Sequence, residues 1–229
     1  MTPTVRMLHA SDVHIDNSPD GIRGLVQLID AAVEHVVDLV VLVGDTFDDS
    51  RANPATLAAF TAHLDRVRVP IVVLPGNHDP YMPGGIYERA ELPEHVVLLT
   101  DPDGTSVVLP ALGVELWGRP HMSFADHAPL GGLPPRGALP WQVALAHGHL
   151  VRYDEDRHRS YLITSDEIAA CDRDYLALGH WDVQRDVSAG DVTAWYSGSP
   201  RRYATCALVT FSAESGARSV HVEPIRLPG

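Results

Sequence analysis

The stretch LVVLVGDTFDD, residues 39–49, runs five apolar residues, Leu39 to Val43, straight into Gly44-Asp45. An apolar run without polar alternation, closed by a turn residue, suits a strand buried on both faces, as in a parallel sheet. The same arrangement occurs on either side of it. Val5 to His9 leads into Ala-Ser-Asp-Val-His (10–14), and Ile71 to Leu74 leads into Pro-Gly-Asn-His-Asp (75–79). Two helical patterns separate these runs. Gly21 to His35 places Ile22, Leu25, Val26, Leu28, Ile29 and Val33 broadly on one side. Pro54 to Val67 opens with a proline suited to a first helical turn and carries Leu57, Phe60, Leu64 and Val67 at helical spacing. Strand, helix, strand, helix, strand implies right-handed crossovers and a parallel sheet.

Further along, Val143 to Ala146 runs into His-Gly-His (147–149), and Tyr175 to Leu178 runs into Gly-His-Trp-Asp (179–182). Thr164 and Glu167 have the spacing of a capping box, which predicts a short helix over 164–170. Other β-like runs are Val96–Leu99, Val107–Leu109, Val114–Trp117, Trp195–Ser197, Ala207–Phe211 and Val220–Val222. Residues 118–140 are rich in Pro and Gly and read as a long loop, either a lid near the site or a surface excursion. The expected fold is a single α/β domain over 1–229, with two sheets packed together and helices outside.

A chain of 229 residues is long enough for one good core. Its 45% hydrophobic and 21% charged residues are ordinary for a globular protein. No apolar run approaches the roughly 18 residues of a membrane span, and Met1 to Ala10 lacks the pattern of a secretory signal. Cys171 and Cys206 have no metal or redox spacing and read as spare thiols of a reducing compartment, so the cytoplasm is the expected location. The formal charge of −13 argues against a generic nucleic-acid coat. It leaves room for a nucleic-acid enzyme, because bound divalent cations would neutralise carboxylates where chemistry occurs.

Polar residues follow five apolar runs in order: Asp12 and His14; Asp45 and Asp48; Asn77, His78 and Asp79; His147 and His149; His180 and Asp182. In α/β folds the carboxyl ends of strands are where loops converge on ligands. Singly, each of these residues has an ordinary reading as a turn, a cap or a hydrogen-bonded core histidine. Jointly they form a series of oxygen and imidazole donors without a thiol, which suits manganese, iron, zinc or magnesium.

Asp12-Val-His14, Gly44-Asp45-x-x-Asp48, Gly76-Asn77-His78-Asp79, His147 and Gly179-His180 together resemble the ordered motifs of the calcineurin-like metallophosphoesterases, over roughly residues 5–200. Within that family, Leu-Ala-Leu-Gly-His (176–180) and Tyr-Ser-Gly-Ser-Pro (196–200) are similar to the SbcD-type DNA repair nuclease branch. The resemblance implies a four-layer α-β-β-α sandwich of two mixed sheets and a centre of two divalent ions, manganese foremost. Carried over by residue, Asp12 and His14 bind one ion, Asp45 bridges both, and Asn77, His147 and His180 complete the second site. His78 is then the general acid, oriented by Asp48. The implied reaction is hydrolysis of a phosphodiester or phosphomonoester by a metal-activated hydroxide. Its substrate would be nucleic acid or a small nucleotide or other phosphorylated metabolite.

The sequence departs from the family at two places. Where the family has Gly-His-x-His, this chain has Gly179-His180-Trp181-Asp182. Asp182 either ligates the first ion as a harder donor or turns away and leaves that site weak, which would favour a non-catalytic scaffold. SbcD-type nucleases also carry segments after the phosphoesterase domain that cap DNA and dock an ATPase, and a core without that cap is expected for a chain ending at Gly229. His149 by strand alternation either contacts substrate or is structural. His121 and His127, in the long loop, and the pair Arg201-Arg202, either phosphate contacts or surface charges, carry no spacing that decides between roles.

Overall fold

In the computed structural model, which describes residues 4–214 and 217–228, the doubly buried runs form the expected strands. The ends of the expected 1–229 domain, residues 1–3 and 229, lie outside the described residues. In chain order the strands are β1 (Val5–Ala10), β2 (Leu39–Val43), β3 (Ile71–Leu74), β4 (Val96–Leu98), β5 (Thr105–Leu109), β6 (Val114–Gly118), β7 (Trp141–His147), β8 (His149–Leu150), β9 (Leu162–Ile163), β10 (Tyr175–Gly179), β11 (Arg185–Asp186), β12 (Thr193–Tyr196), β13 (Thr205–Glu214) and β14 (Ala217–Arg226). The helices are α1 (Arg23–Glu34), α2 (Pro54–Leu64), α3 (Ile86–Arg89), α4 (Ser165–Ala170) and α5 (Pro200–Tyr203).

One six-stranded sheet has the order β14-β13-β1-β2-β3-β4 and the other β11-β12-β10-β7-β6-β5. The neighbours β1 to β4 are parallel, as are β12, β10, β7 and β6, while the remaining edges are antiparallel. Alternation along each strand sorts its side chains into layers. Leu39, Val41 and Val43 of β2 and Leu74 of β3 meet Trp141, Val143 and Leu145 of β7 and Tyr175 of β10 between the sheets. Val40, Leu42 and Val73 point the other way, onto Leu25, Leu28 and Ile29 of α1 and Leu57 and Phe60 of α2. Ala144, Leu176 and Leu178 of the second sheet pack with Ile168 of α4. The stack is helix, sheet, sheet, helix, and each buried Val or Leu contributes about 1.5–3 kcal/mol.

Helices α2 and α4 begin at side-chain caps. Asn53 Oδ1 accepts from the Thr56 amide at 2.9 Å, with Pro54 in the first turn, and Thr164 and Glu167 form the reciprocal capping box. Val33 departs from the expected apolar side of α1 and is 54% exposed. The buried stripe is Leu25, Leu28, Ile29 and Ala32, leaving Val33 at its margin. Strands β13 and β14 run ten residues each, longer than the apolar runs within them. The edge strand β14 is mostly exposed, so polar residues alternate in along it, whereas β13 is buried over 205–209 and becomes polar only toward its far end. Residues 119–140 contain no helix or strand. Cys171 and Cys206 are free and buried. No helix among the described residues is long and apolar enough to cross a membrane.

Two features organise the strand ends, the first between the two sheets and the second within one of them. At Gly44, with φ +80°, an added Cβ would overlap His147 Nδ1, and at Gly179 it would overlap the Val43 carbonyl. The second feature is Asp79, fully buried. It accepts from the Gly76 amide at 2.7 Å, the Phe47 amide at 2.9 Å and the Tyr87 hydroxyl at 2.6 Å. It thereby ties the turn after β3 to the segment after β2.

Gly44→Ala adds a left-handed strain and a steric overlap, and should destabilise by about 2–5 kcal/mol, read as a lower urea midpoint at unchanged slope. Asp79→Ala strands three donors and should cost at least about 3 kcal/mol in the same assay. A loss below about 1 kcal/mol in either variant would contradict the packing described.

Candidate metal centre

The turns after β1, β2, β3, β7 and β10 bring Asp12, His14, Asp45, Asn77, His78, His147 and His180 into one cluster. Donor atoms of Asp12, His14 and Asp45 lie within 4.8 Å of one another, and so do those of Asp45, His147 and His180. Asp45 belongs to both groups. A carboxylate has two oxygens, so this position is the one from which a single side chain can reach two cations.

Hydrogen bonds fix which ring nitrogen faces the cluster. His147 Nδ1 lies 2.9 Å from the Val43 carbonyl, which can only accept, so Nδ1 carries the proton. The other nitrogen, Nε2, then faces Asn77 Oδ1 at 3.1 Å and Asp45 Oδ2 at 3.2 Å. His180 Nδ1 lies 3.1 Å from the same Asn77 oxygen, and its amide donates to Asp12 Oδ2 at 3.0 Å. His14 Nδ1 meets Asp48 Oδ1 at 3.1 Å. His147 is thus held by a carbonyl and His14 by a carboxylate, the kind of support that orients metal-ligating histidines, whereas His180 faces the Asn77 oxygen that it shares with His147.

The electrostatics call for positive charge. Burial alone would lower the pKa of His147, but the carboxylates of Asp45 and Asp12 outweigh it and push it up to about 9. Burial, reinforced by Asp45 and opposed by His147, pushes Asp12 up to about 7. Asp45 is also buried, yet His147 and the His78 amide, which donates at 2.9 Å, hold its carboxyl below the usual range. Burial, then the charge of His147, lowers His180 to about 3 and leaves its ring a neutral donor. A pocket that draws a proton onto a fully buried imidazole has the negative potential a divalent cation needs, and the cation would displace that proton.

Backbone strain concentrates at the same residues. Asp12, His14, Asp45 and His180 have φ of 53°, 49°, 50° and 100°, in the left-handed region that non-glycine residues seldom occupy. Such conformations cost of order 1–3 kcal/mol each and collect at functional sites.

His78 stands at the margin of the cluster, its ring centroid 4.9 Å from that of His14. Its Nδ1 donates to the backbone carbonyl of Asp48 at 2.9 Å. Asp48 therefore positions His78 through its main chain, while its carboxylate serves His14. Asp182 lies outside these groups of donor atoms. One oxygen accepts from Arg202 at 3.2 Å, the other is buried with no partner among the described residues, and the carboxylate's charge acts on His14. His149 is buried, with Nδ1 accepting from Trp181 Nε1 at 3.1 Å and Nε2 3.3 Å from Asp156.

Several supporting residues had no legible role in the sequence. The Ser-Gly-Ser-Pro turn works through its hydroxyls: Ser199 donates to the Asp12 carbonyl at 2.7 Å, and Ser197 meets Ser11 at 2.9 Å. Arg201 donates to the His14 carbonyl and, at 2.6 Å, to Asp16. His121 is fully buried, its Nε2 3.0 Å from the His147 carbonyl, and its ring packs on His127 and Tyr161. A serine-rich turn and one histidine in a long loop give no periodic signal for such long-range contacts.

Known proteins are similar to this chain in fold and in sequence. The structure resembles that of TT1561 from Thermus thermophilus (TM-score 0.62, 15% identity, 96% of this chain and 99% of that one). Among curated sequences, the chain is 26% identical to the uncharacterized metallophosphoesterase YhaO of Bacillus subtilis, over 87% of its own length and 54% of the relative's. It is 24% identical to the D component of the SbcCD nuclease of the same organism, over 95% of its length and 66% of the relative's. It is 29% identical to the DNA double-strand break repair protein Mre11 of Saccharolobus solfataricus, over 52% of its length and 34% of the relative's. The chain thus spans about half to two thirds of the two Bacillus relatives. The family model for calcineurin-like phosphoesterases matches residues 5–184, which include every residue of the cluster, and the chain belongs to that family.

Proposed function

We propose that the protein hydrolyses phosphodiester bonds, with a nucleic-acid strand as substrate, using two divalent cations of which manganese is the first choice. The observation that carries this reading is the position of Asp45, shared between an Asp12–His14 group and a His147–His180 group, with Asn77 between the two histidines. Asp12, His14 and Asp45 would hold one ion, and Asp45, Asn77, His147 and His180 the other. When bound, such a pair binds phosphate oxygens, offsets their charge and lowers the pKa of a water nucleophile.

The chain's own residues supply the rest. Because His78 gives its Nδ1 proton to the Asp48 carbonyl, Nε2 is the nitrogen that would carry a proton to the leaving oxygen. Asp48 orients both His14 and His78, so a single residue couples an ion ligand to the acid. Asp182 would take the remaining ligand position of the first ion in place of the family's histidine, a reading supported by its buried oxygen, which has no partner among the described residues. His149, pinned by Trp181 behind His180, would bear on substrate through that neighbour.

The net charge of −13 favours a second reading, a small nucleotide as substrate, because a long polyanion would be repelled by most of the surface. Activity on bis-p-nitrophenyl phosphate that competing single-stranded DNA leaves unchanged would select it. A scaffold without turnover would have no use for a proton donor held where His78 is.

Purified protein should bind about two manganese ions per chain and hydrolyse bis-p-nitrophenyl phosphate. His78→Ala should keep both ions and lose roughly 10²–10⁴-fold in kcat, whereas equal turnover would overturn the assigned acid. Asp182→Ala should drop the stoichiometry toward one, and a variant that retains two ions would remove Asp182 from the ligand set.

A further inference from the structure

All 17 cationic side chains of this protein are arginines, set against 30 carboxylates. Four of them, Arg23, Arg201, Arg202 and Arg226, line one surface cleft of about 620 Å³, where Asp20 is the lone carboxylate among the described residues. They come from distant parts of the chain. Arg23 opens α1, Arg201 and Arg202 lie on α5, and Arg226 ends β14. Gly24 lets α1 approach α5 closely, since a Cβ there would already press on the Arg201 amide and Pro200 at 3.3 Å.

Two of the four connect the cleft to the metal centre. Arg201 donates to the His14 carbonyl and to Asp16, and Arg202 to Asp182 at 3.2 Å. The other two are uncommitted. Neither Arg23 nor Arg226 has a carboxylate within 4.0 Å among the described residues, and Arg226 bonds only the Tyr203 carbonyl, at 3.3 Å. Two guanidinium groups without acidic partners among the described residues, facing one cleft, are a local surplus of positive charge in a protein with a large carboxylate excess. The planar, multidentate guanidinium suits phosphate oxygens.

We propose that this cleft binds backbone phosphates of a single-stranded nucleic acid at a distance from the bond being cut, with Arg23 and Arg226 as the phosphate contacts. The proposal rests on the phosphodiesterase reading and adds a site to it. A strand whose scissile phosphate sits at the metal centre would leave past the Arg201–Arg202 wall into the cleft, the path on which positive charge offsets the repulsion of the acidic surface. Arg201 and Arg202 would form the near wall, held by their contacts to His14 and Asp182.

The test is equilibrium binding of a fluorescent single-stranded oligothymidylate to manganese-loaded protein across a range of salt, in a His78→Ala background that preserves the probe. Arg23→Gln with Arg226→Gln should weaken binding roughly tenfold at low salt and reduce the slope of log affinity against log salt by roughly 1.4, about 0.7 for each phosphate no longer neutralised. Arg66→Gln with Arg68→Gln removes the same charge from sites paired to Asp30 and Asp65 and should leave the slope unchanged. Thermal melting checks that each variant is folded, and single substitutions replace the pair if it is not. Equal losses in the two pairs, an unchanged slope in the cleft pair, or no binding of the probe would overturn the proposal. Failure of the phosphodiesterase reading shows separately, as absence of hydrolysis by protein with His78 intact.

Discussion

The buried charge of Asp45 is the constraint on which the rest of the structure depends. Its carboxylate is almost wholly removed from water, and its ion-pair partner among the described residues is the imidazole of His147. Asp12, a second buried carboxylate, adds to the same negative potential. Burying an anion costs several kcal/mol unless cations and hydrogen bonds compensate. Imidazoles are weak compensation near neutral pH, and the raised pKa of His147 and the raised pKa of Asp12 are two signs of the same shortage. A pair of divalent ions would resolve it.

The geometry around Asp45 is organised to hold donors rather than to minimise local strain. Four candidate ligands sit at left-handed backbone angles, and glycines at 44 and 179 let two sheets approach until a methyl group would not fit between them. These features are stable because the surrounding apolar layers are continuous: Val43 and Leu74 on one sheet pack against Leu145 and Ala177 on the other. Asp79 adds a polar clamp inside that frame. Its carboxyl is pushed up to about 6 by burial and by Asp45, so the clamp and the centre share one electrostatic environment. Function and stability are therefore coupled at this edge of the sandwich, where the interlayer packing supports strained turns.

Most of the sandwich was legible because doubly buried strands write themselves as unbroken apolar runs. Leu39–Val43 and Ile71–Leu74 appear in the structure with those boundaries. The edge hairpin β13–β14 was only half legible, since polar residues of the exposed strand β14 interrupt the apolar pattern. Short elements such as α3, α5, β8 and β9 leave too little periodicity to be read. In the site, the residues directly following strand ends were the readable ones, because the chain must turn there and ligand-type residues in that place stand out. Their contacts were not readable. Nothing in the spacing indicates that Asp48 uses its carboxylate for His14 and its main chain for His78, or that Ser199 braces Asp12. Asp182 and His149 show the same limit: each is placed by partners, Arg202 and Trp181, that neither spacing nor composition connects to it.

Anomalous diffraction from crystals of the manganese-loaded protein addresses the shared role of Asp45 most directly. Two peaks roughly 3.5–4 Å apart are expected, with Asp45 oxygens on both, Asp12 and His14 on one, and Asn77, His147 and His180 on the other. A single peak, or two peaks that do not share Asp45, would contradict that role.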